Sequence, residues 1–200
     1  MSAEALNDLD NVILWIDTNT SNLEIPSDAK VDLALACFDI ALEHQAAVSI
    51  LYKNGLYGSM LSLLKVLTES VVRGMWILHC ASEREIRNFL KNRDQKTFKE
   101  MIGDIESFLK PDIPTLSNLH KNLWKDLNGF THTGFNHLSN RFDDNNIKAN
   151  YNPQDLTNSL ALSITLGLIA ASEFIVLSEK EFLLPDLRAL IASYGEKKYP

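Results

Sequence analysis

Two groups of residues in this 200-residue chain have types and spacings that could do chemistry. The first is Glu69, Arg73, Trp76 and Cys80, which fall on one stripe if their segment is helical. An acid and a base inside an apolar helix are costly to bury unless they are paired. The spacing therefore predicts a Glu69–Arg73 ion pair, extended by Glu173 from a later helix. Such a pair either lines a polar pocket or fixes the register of the helices around it.

The second group lies in residues 128–141, Asn-Gly-Phe-Thr-His-Thr-Gly-Phe-Asn-His-Leu-Ser-Asn-Arg. Thr131, His132, Asn136, His137, Asn140 and Arg141 crowd into one stretch at a predicted helix end. Two histidines there can act as acid and base near neutral pH, or bind an anion together with Arg141. The plainer alternative is that Thr, Asn and His cap a helix and tie a loop to the rest of the fold. The candidate catalytic residues are thus His132, His137 and Arg73; the candidate binding residues are Glu69, Arg73, Trp76, Asn136 and Arg141. His-x4-His with Asp143 or Asp144 nearby is not a zinc pattern, and the cysteines are far away in sequence, so no metal site is expected. No glycine-rich phosphate loop or nucleophile elbow occurs, and no cofactor is implied.

The elements that must position these residues are helical. Leu6, Leu9, Ile13 and Ile16 recur at helical intervals over 4–18. Ser27 or Asp28 is placed to cap a helix over 28–53, which Asn54-Gly55 ends. The next helix, from about 56 to 79 and onward through 83–92 after a break, is apolar nearly all round, as a helix at the centre of a bundle must be. The short connection makes these two helices an antiparallel hairpin. A more polar helix follows at 95–109, and one capped by Thr115 runs over 116–130. Residues 136–152 read as an irregular surface loop. Asn152-Pro153 opens a long apolar helix, 153–183, that Pro185 closes, with a short tail helix after it. No run alternates with period two for long enough to demand a strand. The expected fold is all-α: an antiparallel helical bundle with a long central hairpin and a long apolar C-terminal helix.

Composition is that of an ordinary globular chain, 46% hydrophobic and 22% charged. It predicts one domain over 1–200, with a core at about 28–184, an N-terminal helix and loop over 1–27, and a tail at 185–200. Cys37 and Cys80 sit in apolar helical pattern and read as small hydrophobes of a reducing compartment. The first residues carry neither a basic nor an apolar leader region, which predicts a cytoplasmic protein. A buried core helix accounts for the apolar run 160–177, so no membrane span is expected. The net charge of −7 disfavours strong non-specific phosphate binding and gives no sign of DNA. The best basic cluster along the chain, Arg84 to Arg93 with Lys91 and Lys96, reads as a solvated helix face beside Glu83 and Glu85.

The hairpin with Glu69-x3-Arg73-x2-Trp76 on its second helix, the helix ending in Thr-His-Thr-Gly, and the last apolar helix together resemble the HEPN superfamily. More closely, they are similar to the uncharacterised bacterial helical-bundle families allied to it. The resemblance covers about 44–180. It implies a homodimer and, in many members, a metal-independent ribonuclease with an Arg-x4–6-His motif at the dimer interface, as in toxin or phage-defence settings. Arg73-Gly-Met-Trp-Ile-Leu-His79 matches that string. On a helix, however, six residues turn by about 240°, so the two side chains point apart. The sequence thus supports a cytoplasmic bundle that binds a protein partner, RNA or a nucleotide-like ligand without catalysis. A ribonuclease using Arg73 or Arg141 with His132 and His137 is the alternative, and a small-ligand sensor built on Glu69 and Arg73 is the third.

Overall fold

Helix α3 (Tyr57–His79) is buried on almost every side, from Leu61 and Leu64 through Val71 and Val72 to Trp76, and the other helices are arranged around it. The structure is a computed structural model that describes residues 2–93, 95–143 and 146–195, with all side chains of these except Ser2, Asn136 and Gly195. Helix α2 (Ala29–Lys53) precedes α3 and makes the largest helix–helix contact in the fold with it. Asp28 caps α2 by accepting from the backbone N–H of Lys30 (2.9 Å) and Val31 (3.4 Å). At its other end Gly55 turns the chain at φ +68°, so α3 runs back antiparallel, as the pattern predicts.

Around this hairpin stand α1 (Ser2–Thr20), α4 (Glu83–Leu90), α5 (Phe98–Leu109), α6 (Thr115–Thr131), the short α7 (Phe135–Ser139), α8 (Pro153–Leu177) and α9 (Leu184–Gly195). Capping boxes start α4 (Ser82 with Glu85) and α5 (Thr97 with Glu100). The all-α reading is correct, with only a two-residue strand pair, Phe142–Asp143 against Asn146–Ile147, among the described residues. Two adjoining apolar clusters form the core. One gathers α1, α8 and the start of α3; the other gathers the end of α3 with α2 and α5. Helices α2 and α8 are each long and apolar enough to cross a membrane by length and composition, and half of the apolar window of α8 is buried inside the fold.

Several boundaries depart from expectation, each for a local reason. The 136–152 segment is not wholly irregular, since it holds α7 and the strand pair. Thr115 does not cap α6: Pro114 occupies the cap position, and the Thr115 hydroxyl donates to the Ile113 carbonyl. Helix α8 stops at Leu177 because Glu179 takes a left-handed conformation (φ +58°). A 3-10 turn, Glu181–Leu183, follows, and Pro185 sits in the first turn of α9, where proline is tolerated, instead of closing α8.

The close approach of α2 to α3 depends on Gly74. A Cβ there would lie 2.5–2.9 Å from three ring atoms of Phe38, a side chain with no exposed surface. Gly103, inside α5, has open space where its Cβ would be. Gly74→Ala should therefore cost about 1–3 kcal/mol by overpacking. Gly103→Ala should gain about 0.5–1 kcal/mol by restricting the unfolded chain. Urea midpoints moving in opposite directions are the expected result.

Candidate functional site

The α3 stripe has the predicted alignment but not the predicted pairing. Among the described residues no ion pair joins Glu69 to Arg73. Glu69 faces Lys65, one turn earlier, at 3.9 Å, and Glu173 pairs with His79 at 3.0 Å. Arg73 instead lies over the Phe89 ring of α4, its guanidinium carbon 5.3 Å from the centroid. The register-fixing Glu69–Arg73 ion pair is therefore not formed, since each side chain faces another partner. Arg73 and His79 engage different partners, so the Arg-x5-His string forms no site within this chain. Burial pushes the Cys37 thiol up, opposed by Arg73, in keeping with an inert cysteine.

Trp76 is buried, and its indole N–H donates to Asp104 of α5 at 2.8 Å. Lys96 also donates to Asp104 and reaches Glu85 at 3.3 Å. The Ser82 hydroxyl and backbone N–H both donate to Glu85 and hold its carboxyl below the ordinary glutamate range. The hydrogen bond to Asp104 raises Lys96 above the ordinary lysine range, against the effect of partial burial. Trp76 is therefore a structural clamp that fixes α4 and α5 against α3.

The histidines separate. His132 terminates α6, is exposed, and has its Nε2 3.4 Å from Lys65 Nζ, so Lys65 links it to Glu69. His137, in α7, has Nδ1 2.9 Å from the Phe130 carbonyl oxygen. A carbonyl only accepts, so Nδ1 carries the hydrogen, and in the neutral ring Nε2 keeps its lone pair. That Nε2 meets Arg141 and Tyr151 over Gly58, at the start of α3. A Cβ on Gly58 would lie 2.7 Å from His137 Nε2, 2.7 Å from the Tyr151 hydroxyl and 2.8 Å from Arg141 Nη2. The Arg141 guanidinium also sits 5.6 Å from the Tyr151 ring centroid, and the Tyr151 hydroxyl is buried with no hydrogen-bond partner. A base, a phenol and a cation thus converge, as phosphate chemistry would require. The three tips close over the bare Cα of Gly58, so this cluster packs α7, Arg141 and Tyr151 onto the start of α3. The side chain of Asn136 and all of Asp144 lie outside the described residues, and no metal-binding group occurs among those described.

One basic feature does not stand out as a linear run of charge. An open groove of about 670 Å³ between α5 and α6 is lined by Lys99, His120, Lys121, Trp124 and Lys125, with no carboxylate among its lining residues. Trp124 stacks on Phe98 with centroids 4.0 Å apart and planes 7° apart, and Lys65 Nζ lies 5.6 Å from the indole centroid. The signal was present in Leu-His-Lys-Asn-Leu-Trp-Lys: His120 and Trp124, and Lys121 and Lys125, are each one turn apart and share a face of α6. By contrast, Arg87 of the Arg84–Arg93 run pairs with Glu83 at 3.1 Å on an exposed face, as read.

The clamp sets two expectations. Trp76→Phe, which removes the donor and part of the buried ring system, should cost about 1–3 kcal/mol in urea unfolding, the lost hydrogen bond and the cavity adding. Because its folded pKa is lowered, Glu85 stabilises above the ordinary glutamate range and loses that effect as pH falls through its folded value. The urea-midpoint gap between wild type and Glu85→Gln should be constant near neutral pH and close on acidification.

A protein-family model described as a family of unknown function (DUF6988) matches residues 38–198, and the chain belongs to that family. The match takes in α3 to α9 and leaves α1 and the first turns of α2 outside it. No curated protein and no solved structure matches the chain.

Proposed function

We propose that this member of a family of unknown function is a non-catalytic binding module that takes a nucleotide-like anionic ligand, such as a short stretch of RNA, in the groove between α5 and α6. The observation that carries this reading is the carboxylate-free lining of that groove, with Lys99, Lys121 and Lys125 placed around Trp124 in a chain of net charge −7. An acidic protein gains nothing in solubility from a segregated basic face, whereas a ligand bearing phosphates gains a local positive potential. Lysine ammonium groups serve as point charges for phosphate oxygens, and a planar base has the ring system of Phe98, His120 and Trp124 to lie against. The HEPN resemblance of the sequence points toward the same ligand class.

A second reading, a ribonuclease, has one specific observation in its favour: His137 and Arg141 do come together, with Tyr151 between the strand pair and α8 completing the set. Against it, the three tips are packed onto Gly58 and the Tyr151 hydroxyl is buried away from solvent. The module should therefore bind without cleaving.

The test is fluorescence anisotropy with a short labelled single-stranded RNA, run over a series of salt concentrations. Wild type should bind, and Lys121→Gln with Lys125→Gln should weaken binding and lower the salt slope by about one for each lysine removed. Intact RNA after prolonged incubation is expected. RNA cleavage that disappears in His137→Gln would install the ribonuclease reading instead, and an absence of binding at low salt would remove the first.

A further inference from the structure

Helix α6 has a second used face. Residues 120, 121, 124 and 125 look into the basic groove, while Leu123, Asp126, Leu127 and Phe130 of the same helix line a separate cavity of about 310 Å³ shared with α3, α7 and α8. This volume lies at the lower end of small-ligand pockets. Its floor is apolar, formed by Leu61, Leu64, Leu127 and Leu162. Its mouth carries Asp126 and Asp155, with the amides of Asn140 and Asn158 beside them. No lysine, arginine or histidine is among its lining residues, the reverse of the groove on the other side of the helix.

We propose that this cavity is a binding site for a small organic cation: a primary ammonium group carried on a compact apolar body. The body matches the leucine floor, where burial of apolar surface favours binding at about 25 cal/mol per Å². The ammonium group has three donors, and the mouth supplies acceptors in the Asp155 carboxylate and the Asn140 amide oxygen, with a second lone pair on Asn158 Oδ1, which already accepts from Gln154 at 3.0 Å. Asp155 is exposed and its carboxylate makes no hydrogen bond or ion pair among the described residues, so a cation there has a charge to meet. A carboxylate ligand would face like charge at the same mouth and should be rejected. Asp155 also stands in the first turn of α8, where an acid is favourable in its own right. That role alone predicts a stability effect and no ligand binding, which separates the two explanations. The inference is independent of the groove's ligand.

The experiment uses three probes with one body: phenethylamine, phenylacetate and phenethyl alcohol, titrated into the full chain and followed by amide chemical shifts. Saturable shifts are expected with the amine at residues 123–130 and 155–162, weaker ones with the alcohol, and none with the carboxylate. Asp155→Asn should weaken amine binding several-fold while Asp155→Glu retains most of it. Lys121→Gln, on the opposite face, should leave amine binding unchanged. Equal binding of amine and carboxylate, no shifts at millimolar amine, or Asp155→Asn binding like wild type would each overturn the assignment.

Discussion

Everything in this fold hangs on making room for α3 in the middle of the bundle. A helix that is apolar nearly all round has to be covered on every side, and α2, α5, α6 and α8 do that work. The closest approach of α2 to α3 is where the Phe38 ring lies on Gly74, since a side chain there would force the two helices apart. Because α3 is fixed by packing, the few polar groups it carries become anchors. Trp76 holds α5 through Asp104, and the Ser62 hydroxyl lies between the Gly58 carbonyl of its own helix (2.9 Å) and the Phe130 carbonyl at the end of α6 (3.0 Å), sharing its one hydrogen between them. Those two attachments place α5 and α6 side by side, and the basic groove is the surface between them.

Helix α6 then presents two surfaces of opposite sign. Its lysines and aromatic rings meet α5 on one side, and its leucines with Asp126 meet α3 and α8 on the other. Only Leu127 of this 17-residue helix is fully buried; Leu116, Trp124 and Phe130 pack half-buried on the core, and the exposed positions, Lys121 and Lys125 among them, are left for contacts with something else. The charge separation has a cost in like-charge repulsion among Lys99, Lys121 and Lys125, which a bound anion would relieve. The His137–Arg141–Tyr151 cluster, at the far end of α6, holds the following segment onto the start of α3. It gives α6 a fixed terminus without needing to do chemistry itself.

Much of the architecture was legible in the sequence because it is written in local terms. The Asp28 cap, the Asn54-Gly55 turn and the start of α8 at Asn152-Pro153 each depend on residues a few positions apart. The failures share the opposite character. The Glu69–Arg73 pair was inferred from spacing on one helix, but Lys65 stands one turn before Glu69, and the Phe89 ring from α4 offers Arg73 a surface. The groove is not legible in a linear run of charge because Lys99 comes from α5 and Lys121 and Lys125 from α6. His137 and Arg141 lie close in sequence and meet in the structure, whereas Tyr151 and Gly58, which complete the cluster, come from outside residues 128–141. The end of α8 is hard to place from pattern because apolar residues resume at Phe182–Leu184 after Ser-Glu-Lys-Glu, while the left-handed turn at Glu179 leaves no mark in hydrophobic periodicity.

The most direct test of the central claim is to map a nucleotide onto the protein residue by residue. Amide chemical-shift perturbation on titrating a nucleoside triphosphate should concentrate on residues 117–128 of α6 and the first turn of α5, and fade as salt is raised. Perturbations confined to the His137, Arg141 and Tyr151 surroundings, with α6 from Ser117 to Asn128 unmoved, would contradict the account and return the search for function to the start of α3.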